Sequence, residues 1–137
     1  KRLLFFSGEF EEENLWTLYA LQEGVSSVSP IEYNKRGNGS IRFIERFFNI
    51  KGNNESDSKS KLTILSGSTQ ITFDGKYKIQ EKTNTKGETN KVMTFNDSGN
   101  IEDKPDTNYV RKSKYYFPGT MISVKLLLND DDVKLIN

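Results

Sequence analysis

Arg36-Gly37-Asn38-Gly39 leads into a run with helical periodicity, Ser40-Ile-Arg-Phe-Ile-Glu-Arg-Phe-Phe-Asn-Ile50, and the predicted fold is arranged around this junction. Ser40 is a good N-cap residue. Apolar side chains follow it with the spacing of one helix face, at Ile41, Ile44, Phe47 and Phe48. The run therefore predicts an amphipathic helix over 40–50.

The glycines before this helix have two interpretations. A glycine-rich turn at a helix N-terminus exposes backbone N–H groups whose dipoles add, which favours an anion such as phosphate. Gly37 and Gly39 would let the backbone approach the phosphate closely, with Lys35 or Arg36 supplying charge. Asn-Gly is also a common turn dipeptide that needs no ligand. The segment alone leaves both interpretations open.

The residues before this junction predict a strand, a helix and a long loop. Leu3–Phe6 is a short apolar run typical of a buried strand, stopped by Ser7-Gly8. Asn14–Glu23 has a helical stripe of leucines, acidic residues at its start and Gly24 as a C-cap. Val25–Gly39 has no periodicity, and loops of about this length are usually functional or disordered.

The residues after the junction predict strands. A strong hairpin signal comes from two alternating runs on either side of Asp74-Gly75. Met121–Leu128 is nearly continuously apolar, which predicts a central strand, whereas Tyr109–Phe117 stays undecided. The predicted strands in chain order are Leu62–Leu65, Thr69–Phe73, Lys76–Gln80, Lys91–Asn96 and Met121–Leu128.

This order of elements predicts the fold class. Strand, helix, loop, helix and then several strands indicate an α/β two-layer sandwich, with helices packed on one face of a mixed, mainly antiparallel sheet. A length of 137 residues suits one domain, 1–137. Polar insertions at 51–61 and 81–108 account for most of the polar excess.

The composition excludes several kinds of chemistry. The chain has no Cys and no His, so it has no disulfide, no zinc site of the usual kind and no imidazole base. Its net charge is +1, and no apolar run approaches the length of a membrane-spanning helix. We therefore expect no nucleic-acid or membrane partner and a cytoplasmic location, while a protein partner stays open.

Three further segments have ordinary structural interpretations. Phe117-Pro118-Gly119-Thr120 predicts a type II turn before a strand. The acidic residues of Asp97–Asp106 lack the alternating spacing of a calcium loop, so they predict a solvated loop. Asp130–Asp132 likewise predicts a helix start or a tail, and no metal site is expected.

The order of four motifs resembles a known family. They are Ala20-Leu-Gln-Glu-Gly-Val-Ser-Ser27, Arg36-Gly-Asn-Gly39 with its helix, Leu62-Thr-Ile-Leu-Ser-Gly67 and Phe117-Pro-Gly-Thr-Met-Ile-Ser-Val124. In this order they resemble the C-terminal half of the GHKL ATPase domain. That domain has the Bergerat fold of gyrase, heat-shock chaperones, MutL and histidine kinases. The likeness is greatest to bacterial stand-alone ATP-binding proteins of this group.

The resemblance implies ATP as ligand, with Mg²⁺ as its counter-ion. It implies that backbone amides of Gly37 and Gly39 bind the phosphates, with Arg36, Ser26 and Ser27 close by. It also implies that Thr120, beside Gly119, lies on the adenine side in a hydrogen-bond network. Gly24 would mark the start of a mobile lid.

Several residues depart from the family pattern. Glu13 and Asn14 are adjacent, so they do not reproduce the spacing of the family's catalytic Glu and magnesium-binding Asn. Phe6-Ser-Gly-Glu-Phe10 holds no Asp where the family's first glycine box selects adenine. The resemblance therefore implies an incomplete domain, with ATP hydrolysis only if an upstream segment supplies these groups.

Two alternatives to a nucleotide-binding domain stay open. One is a degenerate relative of the same fold that acts as a non-catalytic protein-interaction or regulatory module. The other is an unrelated mixed α/β binding domain in which the glycines only form turns.

Overall fold

The computed structural model describes residues 12–22, 39–51 and 59–128, and these form a mixed α/β structure with antiparallel strands. The strands pair as two two-stranded sheets, β1 with β4 and β2 with β3, where the sequence predicted a single sheet. In chain order the elements are α1 (Glu12–Ala20), α2 (Gly39–Lys51), β1 (Lys61–Phe73), β2 (Gln80–Thr83), β3 (Thr89–Val92) and β4 (Val110–Lys125).

Strand β1 joins two segments that the sequence analysis had separated. Leu62–Leu65 and Thr69–Phe73 form one strand of 13 residues, with an irregular register on both sides of Gly67. Gly67 has a φ of 57°, a conformation that glycine adopts without steric strain. The irregularity lets both halves of the strand face the core, with Leu62 and Ile71 fully buried.

Strand β4 joins a segment that the sequence left undecided to a predicted strand. Tyr109–Phe117 and Met121–Leu128 contribute to one strand of 16 residues, which ends at Lys125. Its apolar C-terminal part is not central as predicted, because within the described ranges β1 is its only partner and residues 121–125 are exposed. An apolar run indicates that a segment favours a β-sheet, but it does not indicate how many strands pair with that segment.

The predicted hairpin around Asp74-Gly75 is wrong. Residues 74–77 form bends, residues 78–79 are not in a strand, and Ile71 pairs with Val110 of β4. The Asp74 carboxylate accepts a hydrogen bond from the backbone N–H of Lys76 at 2.9 Å, which closes a local turn. The turn signal was therefore sound, but β4 takes the place of the expected partner strand.

The polar insertion 81–108 is ordered by its own hydrogen bonds. It contains most of the β2–β3 hairpin, whose turn is held by the Asn84 side chain accepting from the backbone N–H groups of Lys86 and Glu88. β3 overlaps only the first two residues of the strand predicted at Lys91–Asn96. Of the polar insertion 51–61, residues 52–58 lie outside the described ranges.

Both helices contribute side chains to the hydrophobic core. The helix predicted over 14–23 is confirmed as α1, and the helix predicted over 40–50 is α2, which begins one residue earlier. The buried apolar side chains come from both helices, from β1, from the start of β4 and from the segment after β3: Leu15, Leu18, Ile41, Ile44, Phe47, Leu62, Ile64, Ile71, Phe73, Met93, Phe95 and Val110.

A buried glutamine ties the end of α1 to this core. The Gln22 amide donates to the carbonyl oxygens of Leu18 at 2.8 Å and Met93 at 3.0 Å. It also accepts from the Met93 backbone N–H at 2.7 Å. Because these bonds satisfy the buried amide completely, they stabilise the end of the helix against the segment after β3.

Some predictions fall outside the described residues. These concern the strand at Leu3–Phe6, the C-cap at Gly24, the loop before Gly39 and the acidic run Asp130–Asp132. Among the residues that are described, neither helix has the length and apolar character needed to cross a membrane.

Candidate functional site

A cavity of about 750 Å³ lies where α1, the start of α2, β1 and β4 meet. Its polar wall is formed by the carboxylate of Glu13 and the hydroxyl groups of Ser40, Ser66 and Thr120. Apolar and aromatic surface comes from Ile64 of β1 and Trp16 of α1, among others. Small-molecule sites commonly combine a concave apolar surface with a few convergent polar groups, as this cavity does.

Two hydroxyl groups form the sheet side of the cavity. Ser66 and Thr120 are directly opposite each other in the β1–β4 ladder, and their side-chain oxygens are 3.2 Å apart. One hydroxyl donates to the other, which leaves both oxygens able to accept further hydrogen bonds. Ile64 lies two residues before Ser66 on the same side of β1, so it places apolar surface beside this pair.

The Glu13 carboxylate is held at the edge of β1. Its Oε1 atom accepts a hydrogen bond from the backbone N–H of Ser68 at 2.8 Å. A Cβ atom at Gly67 would collide with the same carboxylate oxygen. Two features therefore favour glycine at position 67: the positive φ, and the space next to its Cα that the Glu13 carboxylate occupies.

Asn14, the neighbour of Glu13, has a structural role. It is buried, and its Oδ1 atom accepts a hydrogen bond from the Thr69 hydroxyl at 2.7 Å. The described residues contain no group of three or more Asp, Glu, His or Cys side chains that could hold a metal ion. Asn14 and Glu13 are both anchored to β1, through Thr69 and Ser68.

Trp16 brings a flat aromatic surface to the cavity. It is the only tryptophan of the chain, and about half of its surface (51%) is exposed although it lies on a helix that packs against the core. An exposed indole beside a cavity offers a face on which a planar ring can stack.

The structure brings some of the predicted site residues to this cavity. Thr120 lines it, and Gly39 is the first residue of α2, next to the lining residue Ser40. Gly119 is not among the lining residues, and its φ of 137° belongs to the irregularity in β4 where the pairing shifts from Ser66–Thr120 to Gly67–Phe117, so the type II turn predicted at Phe117–Thr120 is replaced by a bulge within the strand. The remaining predicted phosphate-binding residues lie outside the described ranges: Ser26, Ser27, Arg36 and Gly37.

The lining residues that the sequence analysis missed include Glu13, Trp16 and Ser66. Trp16 carried a usable signal, because it lies beside the leucine stripe of α1 and not on it. Glu13 looked like an ordinary acidic residue at a helix start. Ser66 acquires meaning only through its pairing with Thr120, which no local pattern reveals.

A second polar cluster lies at the other end of the β1–β4 sheet. The Lys76 ammonium and the Tyr77 hydroxyl both donate to Asp106 Oδ2 at 2.9 Å, and the Tyr109 hydroxyl donates to Asp74 at 2.9 Å. The ammonium also lies 4.8 Å from the centre of the Tyr77 ring and 5.2 Å from that of Tyr109. These contacts join residues 74–77 to residues 106–109, and we call this cluster the clasp.

The charges in this clasp shift the pKa values of its members. Burial alone would raise the pKa of Asp106, but hydrogen bonds from Lys76, from the Asn108 backbone and from Tyr77 outweigh burial and lower this pKa to about 2. The hydrogen bond to Asp106 raises the pKa of Lys76. Burial is the main reason why the pKa values of Tyr77 and Tyr109 are raised. The carboxylate and the ammonium therefore both stay charged at neutral pH.

A smaller cavity of about 240 Å³ lies between α2 and the β2–β3 hairpin. Two of its lining residues, Glu45 and Lys91, form an ion pair with 2.6 Å between their charged atoms. This pair links α2 to β3.

Comparisons with protein families, with curated proteins and with solved structures give no match for this chain. A functional conclusion therefore depends on the residues around the larger cavity and on the order of the sequence motifs.

Proposed function

We propose that this chain binds ATP in the cavity between α1, α2, β1 and β4, as a domain of GHKL type with a Bergerat-like two-layer arrangement. One observation carries the proposal: Thr120 of the last motif lines the same cavity as Ser40, which directly follows the Arg36–Gly39 motif and stands where the family usually has an apolar residue. The motif resemblance predicted the phosphate site beside Ser40 and the adenine side at Thr120.

The phosphate end of the ligand would lie toward the start of α2. This helix has 13 residues and carries no acidic side chain in its first turn. The N–H groups of its first turn have no acceptor within the helix, and together with the helix dipole they favour an anion there. Gly39 is exposed, and no atom of the described residues lies within 4 Å of a Cβ placed on it, so the proposal has its backbone approach a phosphate closely. Gly37, Arg36, Ser26 and Ser27 are proposed to complete this end.

The base would lie toward the sheet and α1. Trp16 offers a stacking face, and stacking on an aromatic side chain contributes about 1–3 kcal/mol per base. The paired hydroxyls of Ser66 and Thr120 offer hydrogen bonds to the ring edge. This combination suits a planar heterocycle better than an extended aliphatic ligand.

The proposal is one of binding. Glu13 and Asn14 are adjacent in the sequence, so they do not reproduce the spacing of the family's catalytic Glu and magnesium-binding Asn, and hydrolysis would need these groups from another segment. Any Mg²⁺ would arrive with the nucleotide. A cytoplasmic location, where ATP is abundant, belongs to the same proposal.

Titration of the chain with MgATP, followed by Trp16 fluorescence, tests this function. We expect a saturable change, and we expect the double variant Gly37→Ala, Gly39→Ala to weaken binding at least about tenfold, since added methyl groups keep the backbone from the phosphates. A Cβ at Gly39 meets no atom of residues 12–22, 39–51 and 59–128 within 4 Å, so we expect this substitution to leave the packing of those residues unchanged. Asn49→Ala, an exposed change at the other end of α2, is the matched control.

Equal affinity in the glycine double variant would contradict the phosphate site. A chain that is folded by circular dichroism but shows no response to nucleotide, by fluorescence or by calorimetry, would contradict the function itself.

The exposed apolar side chains of β4 favour a second candidate, a protein-interaction module of the same fold. Tyr115 and Tyr116 are 80% and 70% exposed, and Met121, Ile122 and Val124 are nearly half exposed. Exposed apolar patches of this kind mark interaction surfaces. This candidate predicts a folded chain that does not respond to nucleotide, which is the outcome that separates it from ATP binding.

A further inference from the structure

The middle of β4 departs from the regular β1–β4 ladder as a wide bulge. Between two successive pairs of the ladder, β1 supplies only Ser68, whereas β4 supplies residues 113–116. The Tyr115 backbone N–H donates to the Ser113 hydroxyl at 3.2 Å, which is a contact within the bulge itself. Extra residues in one strand bend that strand and change the direction of its side chains. We call residues 111–116, which contain this irregularity, the tyrosine bulge.

Two adjacent aromatic rings of the tyrosine bulge are largely exposed, Tyr115 more than Tyr116. Rings of this size favour burial, so two of them side by side leave a large apolar surface uncovered. Tyrosine is enriched at the centre of protein interfaces, because its rigid ring supplies contact area and its hydroxyl forms hydrogen bonds. The tyrosine bulge therefore has the side chains of an interface anchor.

The charge around these rings is positive. Arg111, Lys112 and Lys114 are exposed. Residues 107–128 contain no acidic residue, although the whole chain has 19. The Arg111 guanidinium donates to Gln70 Oε1 at 3.2 Å, which orients the group and uses one of its five donors. The tyrosine bulge is therefore complementary in charge to a partner that carries carboxylates.

The side chains that follow along β4 indicate which kind of partner fits. A second copy of the same strand would bring like charges together, which disfavours self-association. A single-stranded nucleic acid requires cations along the whole path of its phosphates. The strand continues instead with partly exposed aliphatic side chains, at Met121, Ile122 and Val124. An acidic peptide with apolar side chains suits both the cations and this apolar surface.

We infer that the tyrosine bulge is a docking surface for an acidic, partly apolar peptide segment of a partner protein. Carboxylates of the partner contact Arg111 and Lys114, and its apolar side chains pack on the Tyr115 ring. Exposed ion pairs are individually weak, so the ring supplies most of the affinity and the charges supply the selectivity. The inference makes the protein-interaction candidate specific. It does not rest on nucleotide binding, because none of these three residues is among those that line the larger cavity.

Fluorescence anisotropy of labelled peptides, titrated with the full chain, tests this inference. The probe is a peptide of about eight residues in which glutamate and leucine alternate, within the usual length of an extended segment. We expect it to bind at least about tenfold more tightly than a peptide with lysine in place of glutamate, or with serine in place of leucine. Raising the salt from about 0.1 M to about 1 M should weaken binding, because the charges are then screened.

Paired charge variants locate the contact. The double variant R111S/K114S should weaken binding of the glutamate–leucine probe at least about tenfold, because it removes the cations that the carboxylates contact. K78S/K86S removes the same amount of charge from exposed lysines elsewhere in the chain. This matched control should bind the probe as the wild type does.

A second pair of variants examines the ring. Tyr115→Ala should also weaken binding of the probe at least about tenfold, as expected for an aromatic residue at the centre of an interface. Phe43→Ala removes an exposed ring from α2 and should leave the affinity unchanged. Circular dichroism of each variant verifies that the chain is folded.

Several results would overturn the inference. One is equal or tighter binding of the lysine–leucine or the glutamate–serine peptide; another is unchanged affinity in R111S/K114S or in Tyr115→Ala. Tighter binding of an oligothymidylate of the same length would assign the tyrosine bulge to nucleic acid and would also contradict it. If the folded full chain does not bind the probe, the inference fails, whereas the response to MgATP still decides the proposed function separately.

Discussion

The two ends of the β1–β4 sheet share one ladder but differ in how they are covered. At one end Ile71 is opposite Val110, and both are fully buried. At the other end Leu62 is buried, but its partner Val124 is 45% exposed. Backbone pairing is thus the same at both ends, while burial is complete at only one. We call the first the closed end and the second the open end.

The segments that pack on the two ends of the sheet explain this difference in burial. The closed end lies under the segment that follows β3, where the Phe95 ring meets that of Phe73 edge to face at 5.2 Å. The carbonyl of Phe95 accepts from the Asp106 N–H at 2.6 Å, which closes the loop between them. At the open end, α1 covers part of the sheet and leaves the larger cavity. Among the described residues, the closed end therefore holds the more fully buried part of the sheet, and the open end holds the exposed apolar side chains of β4.

The largest effect on this contrast is expected from Phe73→Ala at the closed end. The ring is 1% exposed, and its removal leaves a cavity in the core, so we expect a loss of ~3–5 kcal/mol in the free energy of unfolding. Urea denaturation followed by circular dichroism measures this loss. Tyr115→Ala removes an exposed ring from β4 and should change the free energy of unfolding by less than about 0.5 kcal/mol. Similar losses in both variants would remove the distinction between covered and uncovered surface.

A smaller effect is expected from Gly67→Ala at the open end. The new methyl group would strain a backbone with φ of 57° and displace the Glu13 carboxylate. We therefore expect a loss of ~2–3 kcal/mol in the free energy of unfolding. Gly87→Ala is the control, because φ at Gly87 is also positive, at 79°, but a Cβ there meets no described atom within 4 Å. This variant should therefore show only the cost of backbone strain, ~1 kcal/mol. Thermal unfolding of both variants gives the difference. Equal losses would show that Glu13 is not packed against Gly67.

The smallest effect is expected from Asp106→Asn in the clasp, which should lower the free energy of unfolding by ~1–2 kcal/mol near neutral pH. The pKa of Asp106 is about 2 in the folded chain, against about 3.9 in an unfolded one. Between these values the unfolded chain binds more protons, so this stabilisation is present above about pH 4 and is lost as the pH falls to about 2.

Urea titrations at several pH values measure this dependence. The difference in the free energy of unfolding between the wild type and D106N should shrink across that interval. Asp97→Asn, at an exposed position in the same loop, is the matched control. A difference that stays constant with pH would mean that the Asp106 charge does not stabilise the clasp.

The sequence predicted the helices better than the strands. The spacing of Ile41, Ile44 and Phe47 placed α2 within one residue, because a helix buries a face that local periodicity reveals. Both long strands were divided in the prediction, at Gly67 and at Pro118-Gly119, since these residues read as turns. A sheet tolerates such residues at irregularities, which depend on the partner strand.

The candidate site was only partly predictable, for the same reason. Thr120 and the start of α2 were found from motifs, and they line one cavity through the residue pair Ser40 and Thr120. Glu13 was missed because its partner, Ser68, is distant in sequence. A pairing of this kind has no local signature.

The sequence by itself determined which chemistry is open to this chain, since a protein without Cys or His works with carboxylates, hydroxyls, amines and backbone dipoles. It also determined the amphipathic faces of both helices, because helix periodicity is a local property. Only the tertiary structure decided that β1 pairs with β4, and that Glu13, Trp16, Ser66 and Thr120 surround one cavity. These contacts join residues distant in the chain, and their free energy appears only when the folded chain brings them together.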